Sequence, residues 1–546
     1  MNKGIFIKDW LLFKPYNKQT STDSYYLKLS NEVKHAITTN NQSEILKYCL
    51  EKEEINHLSC FLTSYFEDLI SETNIWNSFI KAHKRLYKKQ LPFYKLDEYE
   101  EYYINTQDIV FLIWYYLNTI QEEKFIAPFN EFFIEIAEKV MEIFTEAWEY
   151  APENINLKSY YHINETEEDY YVARKLIDNI LFDSYLFNTD TLLNLKEKES
   201  KIIEKYKNDE RLIMYLNDNR DETIHRSHTR LLALTGKEWA SEIIGRENPL
   251  SSEYLNISNK ISAYFLYKGQ DQTDIFLEHI ASGKKFKLTK KSYDHCEKLK
   301  EIDTILFMGI VKWKDEWWFS GGLFQIPFNP DLILDEKNSL KSRMTVNFLD
   351  HQKKEVNELL EKQLKAFKEF NNGMQIAFIP KERINEFIKV YTEFFNKSLN
   401  LSDKEIKEAK ERSRKDGFFG TECKTKSFPE FSDTCLVFFN PKSGCELAFG
   451  VNSAFSLPNN PYFDKELIDD NIMRLLMNDS ISAELVMFCI DNCKSKLTFF
   501  KTGIGKKYLD DIDFLLRFWK KDNYWAKPSI TFTGQNDLSK TMGLSP

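Results

Sequence analysis

The chain is predicted to be α+β and multidomain. An acidic α-helical domain is expected over residues 1–235, a small SH3- or OB-like β-barrel domain over 236–350, and an α+β domain over 351–546. Three observations carry this reading. Of 17 glycines, only Gly4 precedes Gly236. Residues 1–235 hold 28 Lys and Arg against 39 Asp and Glu, a net of −11, while the remainder holds 46 against 45. Short runs of β-branched and aromatic residues, punctuated by glycine, begin near Ser262.

Glycine is required wherever backbone takes positive φ in tight hairpins and bulges. More than 200 residues almost without it exclude a hairpin-rich β domain. The same stretch has helical periodicity. Phe129, Phe132, Phe133, Ile136, Val140, Ile143, Phe144 and Trp148 recur in steps of three and four, one stripe facing a core. Asp108 to Ile120 is apolar nearly all round and predicts a central buried helix. Segments 43–53, 57–72, 76–89, 168–181 and 191–216 are further amphipathic helices. No fixed repeat period is visible.

Strands are predicted at Ile261–Tyr267, Asp274–Ile280, Lys285–Leu288, Ile305–Trp313 and Glu316–Phe319, with Ala281-Ser-Gly-Lys284 as a hairpin turn. Five short strands in about sixty residues make a small barrel. Beyond it, helices are expected at His351–Asn371, Lys381–Lys397, Ser402–Lys415, Ser480–Asn492 and Lys506–Lys521. Strands are expected at Met374–Ile379 and Lys496–Phe500, and a hairpin at Thr434–Phe439 and Glu446–Val451. Helices and strands intermix, as in an α+β domain.

The net charge of −10 disfavours a general nucleic-acid coat, which needs a basic face to release counterions, although a local basic groove remains compatible. The longest strongly apolar run, Ile109 to Leu117, is half the length of a membrane helix. An acid and a base within the first ten residues argue against a signal peptide, and the C-terminus shows no lipidation box. The expected location is the cytoplasm, with no membrane association. The eight cysteines, Cys49, Cys60, Cys296, Cys423, Cys435, Cys445, Cys489 and Cys493, form no CxxC and no finger spacing. Neither a structural metal nor a cofactor is expected. Cys489 and Cys493 stand at i and i+4. Two buried small apolar residues is the favoured reading, a redox pair or half a metal site the other.

Chemistry-bearing patterns are few. Lys501-Thr-Gly-Ile-Gly-Lys-Lys507 lacks the spacing and the Gly-Lys-Ser/Thr ending of a phosphate loop. Asp510, Asp511 and Asp513 fit a helix start better than a metal site. His225 and His228, with Asp221 and Glu222 nearby, could ligate a metal only with further ligands, and a polar helix end accounts for them. There is no HExxH and no GxSxG. Two clusters mix aromatic and basic residues. Trp313, Trp317 and Trp318 gather beside Lys312 and Lys314, and Lys520, Lys521, Tyr524, Trp525 and Lys527 lie at and after the end of the last helix. Such groups can stack bases or a peptide; barrel core and helix capping are the competing roles.

The opening Ile5-Phe-Ile-Lys-Asp-Trp10, with Lys14-Pro-Tyr16 and Tyr25-Tyr26, resembles the start of a bacterial family of unknown function. Asn459-Asn-Pro-Tyr-Phe463, Asp511-Ile-Asp-Phe-Leu-Leu-Arg517, Trp519-Lys520, Tyr524 and Lys527-Pro528 resemble its C-terminal part. The resemblance implies no activity. Ile275-Phe-Leu-Glu-His-Ile280, Gly283, Asp303-Thr304 and Trp318-Phe-Ser-Gly321 resemble a small barrel found in assorted bacterial proteins, often beside a zinc-binding Cys-rich tail. After Cys493 there is no cysteine, so that resemblance implies a fold and no metal.

The expected function is therefore non-catalytic: binding of a protein partner or nucleic acid. The alternative is a hydrolase or nuclease with a dispersed C-terminal site built from Asp510 or Asp513 with Lys501 or Lys506.

Overall fold

The computed structural model of the protein describes residues 4–39, 43–94, 96, 98–121, 126–339, 342, 345–346, 353–399, 402–405, 407 and 431–526. Most of the helix expected over 402–415 lies outside the described residues, as do Cys423 and Lys527. The chain forms two compact units. Residues 1–260 with 311–322 make the first, and residues 261–310 with 323–546 the second.

The first unit is helical, as its shortage of glycine requires. Its helices are α1 (Ile7–Trp10), α2 (Asp23–Thr39), α3 (Ser43–Cys49), α4 (Lys52–Ser71), α5 (Ile75–Tyr87), α6 (Thr106–Ile120), α7 (Glu131–Ala147), α8 (Ile155–Ser159), α9 (Tyr170–Asp178), α10 (Tyr185–Tyr206), α11 (Leu212–Arg226), α12 (Gly236–Ile243) and α13 (Pro249–Asn256). Every residue of α6 from Asp108 to Thr119 is buried, matching its all-round apolar pattern. On α7 the predicted stripe of Phe132, Phe133, Ile136, Val140 and Phe144 is buried, and the Phe144 ring stacks on Phe66 of α4 at 4.7 Å. A Glu51–Glu54 capping box starts α4.

The helix expected over 191–216 is instead two. The chain turns between α10 and α11, where the Asp209 carboxylate accepts the backbone N–H of Arg211. A short acid that bonds its own backbone competes with helix continuation. Gly236 opens α12 for a packing reason: a Cβ there would lie 2.5 Å from Ile177 Cγ2 and 2.7 Å from Leu181 Cδ1.

The five predicted strands close into a barrel of order β1-β2-β3-β5-β4, with β1 Ile261–Gln270, β2 Asp274–His279, β3 Lys285–Thr289, β4 Ile305–Trp313 and β5 Glu316–Ile326. Antiparallel register pairs Tyr264 with Phe307 and Leu277 with Phe286. The predicted 281–284 turn is present, with Gly283 N–H donating to His279 O at 2.8 Å. The fifth strand runs seven residues past its expected end at Phe319, through Gly321 and Gly322. Those glycines read as punctuation; Gly321 is in fact a place of close approach. At φ +89° a Cβ on it would stand 2.5 Å from Asp218 Oδ1.

After the barrel come α14 (Pro330–Asn338), α15 (Lys353–Phe370), β6 (Ile376–Pro380), α16 (Ile384–Ser398), β7 (Thr434–Asn440), β8 (Gly444–Phe449), α17 (Ile468–Met477), α18 (Ala483–Cys493), α19 (Gly503–Tyr508) and α20 (Ile512–Trp519). Strands β6, β7 and β8 form an antiparallel sheet with β7 central. Alternation along β7 turns Cys435, Val437 and Phe439 toward Leu360 and Phe367 of α15 and Ile388 and Tyr391 of α16. Phe438, on the other face, meets Phe488 of α18 at 5.3 Å. The strand expected at Lys496–Phe500 is a single 3-10 turn, Thr498–Phe500. The helix expected over 506–521 is broken into α19, a 3-10 turn at Leu509–Asp511, and α20.

Candidate functional site

Of the barrel aromatics, Trp313 and Trp318 are buried and Trp317 is half-buried. Trp313 donates its indole N–H to Glu168 O at 3.1 Å and packs on Tyr254 at 5.4 Å. Trp318 packs between Tyr170 and Tyr171 of α9, at 6.0 and 5.8 Å.

The C-terminal cluster separates into two environments. Lys520 is fully buried, and its ammonium donates to Leu475 O at 3.0 Å and to Asn478 O. It therefore caps the C-terminal end of α17, not of its own helix α20. Burial pushes its pKa down to about 7, with Glu446 and Asp479 opposing. Lys521 and Tyr524 are half-buried, while Trp525 is 41% exposed. The Arg517 guanidinium lies 4.4 Å from the Tyr524 ring centroid and 5.0 Å from that of Trp525. Asp513 accepts bonds from Arg517 Nε at 2.9 Å and Tyr524 OH at 2.5 Å. Asp510, Lys501 and Lys506 are exposed.

The densest convergence of reactive side chains lies in the first unit, around Asp221. Two helices and one strand build it. Tyr170 and Arg174 stand one turn apart on α9, and Asp221 and His225 one turn apart on α11. Lys260 lies just before β1, and Ser320 is on β5. Asp221 Oδ1 accepts from Arg174 Nε at 2.8 Å, and Oδ2 lies 2.8 Å from Lys260 Nζ. The Ser320 hydroxyl lies 2.9 Å from both carboxylate oxygens. His225 Nε2 is 2.8 Å from Tyr170 OH, 3.4 Å from Ser320 Oγ and 3.9 Å from Asp221 Oδ1. Lys260 Nζ also meets Asp218 Oδ1 at 2.9 Å and Glu222 Oε2 at 3.8 Å. Gly321, beside Ser320, leaves room for that pairing.

Electrostatics fix the protonation of this centre. Burial pushes His225 down to about 4, so at neutral pH the imidazole beside the Tyr170 hydroxyl is uncharged. Burial opposes the charge of Asp221 as well, but is outweighed, and the carboxyl sits below its ordinary value. The Lys260 ammonium and the Arg174 guanidinium are among the charges that favour its ionised form. Burial would lower the Lys260 ammonium; Asp221 and Asp218 overcome it and hold the group above its ordinary value. In a nucleophilic serine site the histidine takes the serine proton and the carboxylate orients the histidine. Here the carboxylate binds the serine directly.

A second polar centre explains the opening motif. Lys14 Nζ pairs with the buried Glu67, bonds Ser64 Oγ at 3.2 Å and lies 3.8 Å from the Trp10 ring centroid. Asp23 Oδ1 accepts from Trp10 Nε1 at 2.8 Å and from Tyr16 OH at 3.0 Å. Asn154 Nδ2 bridges Tyr16 OH and Glu67 Oε1, at 3.0 and 2.8 Å. The motif residues Trp10, Lys14 and Tyr16 are thus an interior network.

In the sequence His225 was visible as a close pair with His228, with Asp221 and Glu222 only as possible further ligands. Tyr170, Arg174, Lys260 and Ser320 carried no signal, because they come from separate elements up to 150 residues apart. Among the described residues no group of three or more His, Cys, Asp or Glu is arranged to hold a metal ion. No helix is long and apolar enough to cross a membrane among the described residues.

No curated protein matches the chain, and no solved structure does. The C-terminal motifs from Asn459 onward lie outside the residues that a family model matches, whereas Trp10, Lys14, Tyr16 and the Asp221 centre as far as Lys260 lie within them. A model described as a protein of unknown function (DUF3843) matches residues 4–277, about half of the chain, and the chain belongs to that family.

Proposed function

We propose that this is a cytoplasmic interaction protein that engages a protein partner and performs no chemistry of its own. The observation that supports this reading is the commitment of the Asp221 centre. Its serine hydroxyl is held by both oxygens of a carboxylate, and its histidine shares a hydrogen bond with a tyrosine hydroxyl. The imidazole base, His225 Nε2, stands farther from the serine hydroxyl, at 3.4 Å, than the two carboxylate oxygens at 2.9 Å. These groups instead fasten strand β5 to helices α9 and α11, the work of a scaffold. The charge of −11 over residues 1–235 favours a protein partner over nucleic acid for that part.

A nucleic-acid reading has one observation in its favour, the exposed Trp525 ring beside Arg517. Bases can stack on such a platform. Crosslinking in the producing cell, read by mass spectrometry, is expected to join lysines of this chain to one defined protein above a matched control. Anisotropy with a labelled single-stranded oligonucleotide is expected to stay flat at low and physiological salt. Turnover of ester, peptide or phosphodiester substrates that Ser320→Ala abolishes would overturn the proposal.

A further inference from the structure

The chain from the end of α18 through α19 concentrates positive charge. Residues 494–507 hold five lysines, Lys494, Lys496, Lys501, Lys506 and Lys507, and no acid. All five are exposed. Lys494, Lys501 and Lys506 form no ion pair among the described residues, and Lys496 Nζ donates to Ser456 O at 3.3 Å. Other lysine-rich stretches are answered by acids. Lys84 and Arg85 of α5 pair with Glu101 and Glu242, and Lys285 of β3 stands opposite Glu278 of β2. We propose that residues 494–507 are the docking surface for a short acidic segment of a protein partner, Asp and Glu around an apolar side chain. The inference rests on the reading of the chain as an interaction protein, and gives that reading a place and a chemistry.

The local fold turns apolar residues in and lysines out. Lys496 and Leu497 donate their backbone N–H to Cys493 O at 2.8 and 3.2 Å, which turns the chain at the end of α18. Leu497, Phe500 and Tyr508 are buried. Gly503, at φ +62°, leads the chain from the 3-10 turn into α19. Gly505 lets α19 rest on that 3-10 turn, since a Cβ there would lie 2.6 Å from Phe499 Cδ1. The lysines before and after the turn therefore belong to one compact block. Ser495, Thr498, Thr502 and Ile504 are exposed among them, Ile504 by 48%.

Size and charge select the occupant. The patch carries +5 in a chain of −10, so everything outside it carries −15. Exposed Asp491 and Asp510 flank it three residues away on either side. A nucleic acid or an anionic bilayer extends past such a patch onto negative surface. A short acidic segment meets the lysines alone, because the screening length is about 8 Å at physiological salt. Bases find no stacking platform on the segment, where Phe499 is half-buried and Phe500 buried. Ile504, apolar and exposed amid charge, gives a protein partner a side chain to cover.

The test titrates the full chain against a fluorescein-labelled peptide of glutamates around one leucine, read by anisotropy at low and physiological salt. Saturable binding is expected, weaker at the higher salt and absent for the same peptide with glutamine in place of glutamate. The triple variant Lys494→Glu, Lys501→Glu, Lys506→Glu should weaken it about tenfold or more. Glutamine at the same three positions should give a smaller loss in the same direction. Lys207→Glu, Lys287→Glu and Lys389→Glu together make the same change of charge at exposed lysines elsewhere, and should leave binding within about twofold. No binding at low salt, or equal losses in the two glutamate variants, overturns the proposal. So does tighter binding of a single-stranded oligonucleotide or of phosphatidylserine vesicles that the 494/501/506 variant abolishes. Carbodiimide coupling of lysine to carboxylate in fresh lysate of the producing cell separates this site from the broader reading. A partner joined only through lysines outside 494–507 overturns the site and keeps the interaction reading; no partner at all overturns that reading, and the site is then decided by the peptide.

Discussion

The hydroxyl of Ser320 lies 2.9 Å from both carboxylate oxygens of Asp221, 99 residues earlier in the chain. It ties β5 to α11 through a carboxylate that already binds Arg174 and Lys260. Because Lys260 and Asp221 are both buried, removing one partner strands the other. Asp221→Asn is expected to lower stability by about 3–5 kcal/mol, the cost of an uncompensated buried charge. Ser320→Ala should cost about 1.5–3 kcal/mol, the loss of a hydrogen bond to a charged group. Thermal melts of the two variants check the ranking. Equal losses would show that Lys260 finds Asp218 and Glu222 sufficient.

Asp108 gives a pH prediction. It is buried and accepts from Tyr65 OH at 2.9 Å and from Tyr99 OH at 3.1 Å. Burial is the largest influence and pushes its pKa up to about 7. An ordinary Asp in the unfolded chain titrates near 3.9. Between about pH 4 and 7 the folded state therefore holds a proton that the unfolded state has released, and this group makes stability fall as pH rises through that window. Asp108→Asn removes the titration. The difference in melting temperature, variant minus native, should climb from pH 4 to 7 and level off above it. A flat difference would place the proton elsewhere.

Lys520 runs in the opposite direction. Its folded pKa of about 7 lies below the unfolded value near 10.4, so the folded state is the one lacking a proton between those limits. Stability from this group should rise as pH increases from about 7 to 10. Lys520→Met abolishes that rise and also forfeits the bonds to Leu475 O and Asn478 O. The native protein should gain on the variant with each step from pH 7 to 9.5 in thermal melts. A constant gap would mean that the amine stays charged throughout.

Gln363 lies on the core face of α15, fully buried, with neither amide atom hydrogen-bonded. Burying an unpartnered amide costs on the order of 1–3 kcal/mol. Gln363→Met keeps the shape and removes the polar atoms. The variant is expected to melt several degrees higher. A lower melting temperature would point to a buried water held by the amide.

Local patterning carried much of the architecture. The near-absence of glycine before residue 236 and the three-four stripe on α7 led to a helical first unit, since both act through backbone sterics and periodicity along one segment. The barrel strands and the β7–β8 hairpin were legible for the same reason. Misreadings arose where a signal was local and its cause distant. Gly321 looked like a strand end, but its role is to let Asp218 and Lys260 meet beside the strand. Lys520 looked like a cap for its own helix, yet its ammonium reaches the carbonyls that end α17, some 45 positions back.

Composition and periodicity thus specified which segments are helix or strand and which faces are apolar. They could not specify partners for buried charge. Asp221, Arg174, Lys260 and Ser320 belong to four separate segments, and nothing in the spacing of any one of them identifies the other three. A buried ion is tolerable only when packing delivers its counter-ion and hydrogen-bond donors at about 3 Å. That condition is met by tertiary contact, and so the polar centre exists only in the folded chain.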